Sequence, residues 1–141
     1  MILVSACLLG ENCKYNGGNN YSERIERMLE EEDILPVCPE FLAGLGVPRA
    51  PMELVDGVPY NVNGECLKEK LDAAIDEIKR LAIENGVSMA ILKSRSPTCG
   101  VKEIYDGSFS HTLIPGMGLL ARALADMGIT VIDSEDDGVV I

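Results

Sequence analysis

The sequence predicts an α/β protein built on a mostly parallel β-sheet. Four short apolar runs of strand length begin at Ile2, Ile34, Val87 and Ile129. Segments with helical spacing separate several of them, as parallel strands require. Right-handed crossovers would place helices on both faces of the sheet. We therefore expect one three-layer α/β domain of the Rossmann or flavodoxin type over residues 1–141.

The first half of the chain alternates strand, helix, strand and hairpin. MILVSAC predicts the first strand, and a loop rich in Gly and Asn follows it. In YSERIERMLEEED, Ile25, Met28 and Leu29 share one face of a helix that Ser22 caps at its N-terminus. ILPVCPE predicts a second strand. In MELVDGVPYNVNG, an Asp-Gly turn predicts a small β-hairpin insertion near residues 52–64.

The second half begins with the clearest helix, ECLKEKLDAAIDEIKRLAIENG, which Gly86 ends. Its apolar stripe consists of Leu67, Leu71, Ile75, Ile78 and Ala82. VSMAILK predicts the third strand, GMGLLARALADMG the last helix, and ITVID the fourth strand. Residues 94–116, between the third strand and the last helix, are predicted to form a long loop. Because structureless loops of that length are uncommon in compact domains, we expect this one to be functional or to contain unrecognised structure.

Charge and composition argue against several classes of partner. The 12 Lys and Arg residues are outnumbered by 23 Asp and Glu, and the net charge is −11. Stable binding to nucleic acid or to an anionic membrane surface depends on basic residues, so neither is expected. VSAC resembles a lipoprotein cleavage box, but only six residues, none of them basic, precede Cys7. We expect a cytoplasmic protein whose thiols stay reduced.

Four of the five cysteines fall where predicted strands end, and we call them the edge cysteines. Cys7 ends the first strand, Cys13 follows in its loop, Cys38 ends the second strand, and Cys99 lies in the loop after the third. Parallel strands bring their carboxyl ends to one edge, where ligands bind. Cys66 opens a helix and does not belong to the group. Although free cysteine is often simply buried, the grouping predicts a thiolate-ligated metal site.

The spacing of the edge cysteines favours an iron–sulfur cluster over a zinc site, a redox pair or a phosphatase loop. Zinc sites usually contain a C-x2-4-C pair, whereas the nearest pair here is C-x5-C. A cluster is larger, so widely separated loops can each reach one corner. A C-x-x-C redox pair is absent. A cysteine-phosphatase loop needs Arg six residues after its Cys, and Cys13 occupies that position after Cys7.

Polar side chains of catalytic type accompany the thiols. Glu40 follows the second strand, and SRSPTCG places Ser96 and Thr98 beside Cys99. Five of the twelve basic residues lie in the same loops: Lys14, Arg49, Lys93, Arg95 and Lys102. In an acidic protein this grouping predicts a locally positive rim, although for any single lysine simple solvation is the favoured explanation.

The ordered motifs ILVSACLLGENCKYNGG, LPVCPE, VPRAP, AILKSRSPTCG, IYDGSFS and LIPG resemble the thiouracil desulfidase (TudS-like) family, long described as a domain of unknown function. The resemblance runs from residue 2 to about residue 133. It implies an enzyme with a [4Fe–4S] cluster that is held by three cysteines and has one iron not bound by protein. The sulfur of a thiolated nucleobase or nucleotide, of thiouracil or thiouridine type, binds that iron. The products are the oxo-base and hydrosulfide, without net redox change.

The resemblance also implies roles for individual residues. The cluster ligands are three of the four edge cysteines. Glu40 and Ser96 match positions that family members use in catalysis. A carboxylate within reach of a water is a natural general base, and the serine hydroxyl is suited to donating to the substrate or relaying a proton. Arg49 and Arg95 are candidates for substrate binding, with loop stabilisation as the alternative for Arg49.

Two other functions remain open from the residues alone. One is a structural or regulatory module in which thiolates bind zinc. The other is a metal-free cysteine hydrolase that uses Cys99 with His111 and Glu40. His111 is the only histidine, and the resemblance assigns it no role. In the desulfidase interpretation, the expected partner is a small thiolated molecule rather than a membrane or a nucleic acid.

Overall fold

The computed structural model describes residues 1–136. In chain order, its strands are β1 (Ile2–Ser5), β2 (Ile34–Val37), β3 (Met52–Val55), β4 (Val58–Asn61), β5 (Met89–Leu92), β6 (Glu103–Tyr105), β7 (Leu113–Pro115) and β8 (Thr130–Asp133). The helices are α1 (Glu23–Met28), α2 (Pro39–Leu42), α3 (Lys68–Glu84) and α4 (Leu119–Asp126), and a 3₁₀ turn, Ala6–Leu9, follows β1.

The central sheet contains four parallel strands in the order β2-β1-β5-β8. The register pairs Leu3 with Leu35 on one side and with Ala90 on the other, and Ile91 with Ile132. This arrangement confirms the predicted α/β class with a mostly parallel sheet. The strand order changes direction between β1 and β5, and open α/β sheets bind ligands beyond the carboxyl ends of strands at such a point.

One face of the sheet packs against α3 and α4. Leu3 and Leu92 from the sheet meet Ile78 of α3 and Leu120 and Leu124 of α4, and all five side chains are fully buried. Burial of each such side chain stabilises the fold by roughly 1.5–3 kcal/mol relative to leaving it in water. The two longest helices thus fix the ends of β1 and β5.

The other face packs against α1. Val4 and Ile91 lie in one apolar cluster with Ile25 of α1 and Leu29 just after it. Helices therefore cover both faces, as predicted. No helix within residues 1–136 has the length and apolar character needed to cross a membrane.

The short-range signals in the sequence place several element boundaries correctly. The Ser22 hydroxyl accepts a hydrogen bond from the Ile25 N–H at 3.3 Å, which confirms the predicted N-cap. The predicted hairpin is present, and its turn residues Asp56 and Gly57 have φ of 50° and 80°. Helix α3 ends just before Gly86, whose φ is 63°.

The long predicted loop contains structure that the sequence pattern does not reveal. Within residues 94–116, β6 and β7 form a second antiparallel hairpin in which Ile104 faces Ile114. Each strand has only three residues, too few for an alternating pattern to be recognised. Helix α2, four residues long and directly after Cys38, likewise lies where the sequence predicts no helix. The last residues of the predicted 1–141 domain, 137–141, lie outside the described residues.

Candidate active site

One cavity at the carboxyl edge of the central sheet is lined by all four edge cysteines. Its volume is about 500 Å³, and we call it the edge cavity. Cys66 is exposed and does not line it. The other candidate residues that line it are Glu40, Arg49, Arg95, Ser96 and His111. The structure thus brings these five candidates together with the edge cysteines.

The loop after β1 holds Cys7 and Cys13. Cys7 lies in the 3₁₀ turn, where the Asn20 side-chain amide donates to its Sγ at 3.3 Å and the Asn20 N–H donates to its carbonyl oxygen at 2.9 Å. The guanidinium of Arg49 donates to the carbonyl oxygen of Cys13 at 2.9 Å. Asn20 therefore fixes both the backbone and the thiol of Cys7, and the Arg49 side chain fixes the backbone of Cys13.

Cys99 is positioned by the start of α4. The N–H groups of Leu120 and Ala121 donate to the carbonyl oxygen of Thr98 at 2.8 and 3.1 Å, and the Gly118 N–H donates to the carbonyl oxygen of Gly100 at 2.8 Å. The Cys99 N–H donates to Ser96 Oγ at 3.0 Å. The turn that carries Cys99 is thus docked on a helix that also packs in the core.

Burial favours the protonated form of the thiols of Cys7, Cys38 and Cys99 by raising the pKa of each. Burial, followed by the negative charge of Glu40, raises the pKa of Cys99 to about 12 and also raises the pKa of Cys38. Burial raises the pKa of Cys7 as well. Because metals bind thiolates, a metal group entering the cavity must displace these protons.

Glu40 and Ser96 are joined by a third side chain, Thr98. The Thr98 hydroxyl donates to Glu40 Oε1 at 2.7 Å and lies 3.1 Å from Ser96 Oγ. Glu40 Oε2 is 3.7 Å from Cys38 Sγ. The carboxylate is 8% exposed and therefore touches both the hydroxyl chain and a thiol inside the edge cavity. Nothing in the sequence marks Thr98 as more than a neighbour of Cys99.

Most of the predicted basic rim is present. Lys14, Arg49, Lys93 and Arg95 line the edge cavity, whereas Lys102 forms an ion pair with Asp136. Arg95 pairs with the exposed carboxylate of Glu135. Burial, followed by the charge of Arg95, lowers the pKa of Lys93. Four of the five predicted basic residues therefore lie at the edge cavity, and the exposed ion pair of Arg95 is screened by solvent.

The sequence proposes His111 for the cavity but not the aromatic ring of Tyr105 beside it. The rings of Tyr105 and His111, both in the lining, meet edge to face with centroids 6.4 Å apart. The buried carboxylate of Glu53 accepts hydrogen bonds from the N–H groups of Gly107 and Phe109 at 3.0 and 3.1 Å. Glu53 on β3 thus anchors the loop that carries His111, a long-range contact that no local pattern encodes.

The donor set fits an iron–sulfur cluster. Four free thiols surround one cavity, and thiolate is the usual ligand of such clusters. Within residues 1–136, no three Cys, His, Asp or Glu side chains are grouped closely enough to hold a single metal ion. A cluster spans a wider space than one ion, so separated thiols suit it. Fold and site together define an α/β protein with a thiol-lined pocket of iron–sulfur type.

Comparison with known proteins agrees with that class. The family model described as 2-thiouracil desulfurase matches residues 2–136, and the chain belongs to this family, a family of enzymes. The uncharacterized protein YbbK of Bacillus subtilis (strain 168) is 36% identical over 146 residues, which cover 96% of this chain and 97% of YbbK. A solved structure described as the [4Fe–4S]-dependent thiouracil desulfidase TudS superposes with a TM-score of 0.89 at 32% identity, covering 95% of this chain and 90% of that one.

Proposed function

We propose that the protein is a [4Fe–4S]-dependent desulfidase that removes sulfur from a thiolated nucleobase or nucleotide. The observation that carries the proposal is that four thiols, a buried carboxylate and a serine hydroxyl share one cavity. The similarity to TudS, described as [4Fe–4S]-dependent and as acting on thiouracil, supports both the cofactor and the substrate class. In the net reaction, water replaces the thiocarbonyl sulfur with oxygen, and the sulfur leaves as hydrosulfide.

Three of the four edge cysteines would hold the cluster. All four line the edge cavity, and Cys38 Sγ lies 3.8 Å from the carbonyl oxygen of Cys13. When bound with one iron not ligated by protein, the cluster supplies a soft Lewis acid that suits a thiocarbonyl sulfur. The spared cysteine would remain beside the substrate.

Glu40 is the proposed general base. Its carboxylate lies in the lining of the edge cavity, and the hydrogen bond from Thr98 to one of its oxygens fixes the orientation of the group. It accepts a proton from the water that adds to the thiocarbonyl carbon. Positioned acid–base groups contribute about 10²- to 10⁴-fold to rate. Ser96, which also lines the cavity, passes a proton onward or, when its hydroxyl turns from Thr98 to the substrate, donates a hydrogen bond to it.

A small planar ligand suits the rest of the cavity. Ligand pockets commonly enclose about 300–1,000 Å³ and combine apolar walls with a few polar groups. Tyr105 and His111 provide planar rings, and stacking on aromatic side chains stabilises bases by about 1–3 kcal/mol. Arg49 and Arg95 are the proposed substrate-binding residues on the positive rim.

A metal-free cysteine hydrolase suits the site less well. A nucleophilic cysteine needs an accessible thiolate, whereas Cys99 is 4% exposed and its pKa is raised to about 12. The hydrogen-bond partners of its sulfur and N–H come from Thr98 and Ser96 rather than from His111. Metal analysis distinguishes a zinc-binding module, which would contain zinc, from a desulfidase, which would contain iron and sulfide.

The test is anaerobic purification followed by iron and sulfide counting and a screen for sulfide release. Thiolated bases, nucleosides and nucleotides are the substrates, and the Cys66→Ser protein is the control because Cys66 lies outside the edge cavity. About four iron atoms per chain together with sulfide release supports the proposal. Stoichiometric zinc without iron would favour the binding module. A loaded cluster that desulfurates none of these compounds would end the desulfidase proposal.

A further inference from the structure

Thr98 is a completely buried hydroxyl at the centre of the candidate catalytic groups. Its exposed fraction is 0%, and its Oγ1 contacts Glu40 Oε1 at 2.7 Å, Ser96 Oγ at 3.1 Å and Cys99 Sγ at 3.7 Å. A buried hydroxyl with partners only in the backbone would be structural. This one has three side-chain partners, and each of them lines the edge cavity.

The donors and acceptors in this chain of hydrogen bonds can be assigned by counting. A carboxylate only accepts, so Thr98 must give its single hydroxyl proton to Glu40. Ser96 is then the donor in its contact with Thr98. Ser96 Oγ in turn accepts the N–H groups of Thr98 and Cys99 at 3.2 and 3.0 Å. The order is therefore Ser96 to Thr98 to Glu40.

We propose that Thr98 is a positioning residue that holds Glu40 and Ser96 as one catalytic unit. The role in turnover rests on the proposed desulfidase function. The geometric role rests only on the contacts of Thr98. A single hydroxyl fixes one carboxylate oxygen of Glu40 and accepts the proton of Ser96, so removing it takes one hydrogen bond from each group, while Ser96 keeps its two N–H donors.

The experiment compares Thr98→Val, which replaces the hydroxyl with a methyl group, with Thr98→Ser, which keeps it. Thr130→Val makes the same chemical change at an exposed position outside the edge cavity and is the matched control. We expect Thr98→Val to lower kcat by about 10²-fold because misplacement of catalytic groups by about 1 Å has that effect. KM should stay within about twofold, and Thr98→Ser should recover most of kcat.

A double variant separates action through Glu40 from general damage. If Thr98 works by positioning Glu40, adding Thr98→Val to Glu40→Gln causes little further loss, whereas independent effects multiply. Iron and sulfide are counted in every variant. Multiplying effects, a Thr98→Val protein with kcat within about twofold of wild type, or loss of iron from both Thr98 variants would each overturn the proposal.

Crystal structures provide a readout that does not depend on turnover. In Thr98→Val the Glu40 carboxylate should leave its present position, and in Thr98→Ser it should keep it. An unmoved carboxylate in the valine variant would overturn the positioning role even if kcat fell. If the loaded wild-type protein desulfurates nothing, the desulfidase proposal fails while these structures still decide whether Thr98 positions Glu40.

Discussion

Substituting Gly118 by Ala tests how tightly the thiol-bearing turn is docked on α4. A Cβ at this position would lie 2.4 Å from the carbonyl carbon of Thr98, 2.6 Å from its oxygen and 2.8 Å from the Cys99 nitrogen. Ordinary contacts start at about 3.4 Å, so the helix and the turn must separate by about 1 Å. The atoms in the way belong to the backbone and cannot rotate aside.

That separation acts on four backbone hydrogen bonds of 2.8 to 3.1 Å, donated by residues 118–121 to residues 97, 98 and 100. Lengthened by about 1 Å, each would exceed the normal range. Each such bond stabilises a fold by about 1 kcal/mol net, and overpacking typically costs about 1–3 kcal/mol after relaxation. We expect Gly118→Ala to lower the free energy of unfolding by about 2–4 kcal/mol.

Urea unfolding of the reduced, metal-free protein measures this change, with Gly116→Ala as the matched control. At Gly116 the nearest obstacles are the Ile104 side-chain carbons at 3.2 Å, which can move. The control should therefore lose less than about 1 kcal/mol. Gly118 is also the N-cap of α4, where alanine is about 0.5 kcal/mol less favourable than glycine. A difference of less than about 1 kcal/mol between the free energies of unfolding of the two variants would therefore refute the docking argument.

Three further predictions concern the site and the core. Glu40→Gln should keep its iron but lose about 10²- to 10⁴-fold in sulfide release, measured by steady-state turnover; loss of iron would instead make Glu40 a ligand or a support. Cys66→Ser should match wild type in iron per chain while Cys99→Ser should not, if Cys99 is a ligand. Leu124→Ala should lower the free energy of unfolding by about 2–5 kcal/mol, since Leu124 is 0% exposed; a loss under about 1 kcal/mol in urea would contradict its place in the core.

The parts of the fold that are predictable are those whose cause is local. Ser22 caps α1 because its own side chain reaches an N–H three residues away, and Asp56 with Gly57 turns a hairpin because both tolerate positive φ. The four strands of the central sheet are short and mostly apolar, so their class and order in the chain follow directly from the sequence. The β6–β7 hairpin escapes prediction because three residues carry no period.

The residues of the candidate site can be predicted from the sequence, whereas the contacts between them can be predicted only in part. Strand ends and motif resemblance are enough to select the edge cysteines, Glu40 and Ser96 as candidates. The hydroxyl link through Thr98 depends on the side-chain geometry of α2 against the turn before α4, which the sequence does not state. The support that Glu53 gives to the loop of His111 also spans distant elements and has no local signature.

The docking of the Cys99 turn on α4 has a consequence for biogenesis. Cys7, Cys13 and Cys38 leave the ribosome early, but the turn that presents Cys99 acquires its shape only after residues 118–121 have been synthesised. The cavity with all four thiols in place therefore forms only once residues 118–121 have been synthesised and have docked on this turn. Before that point the chain would offer an incoming cluster only separate thiols.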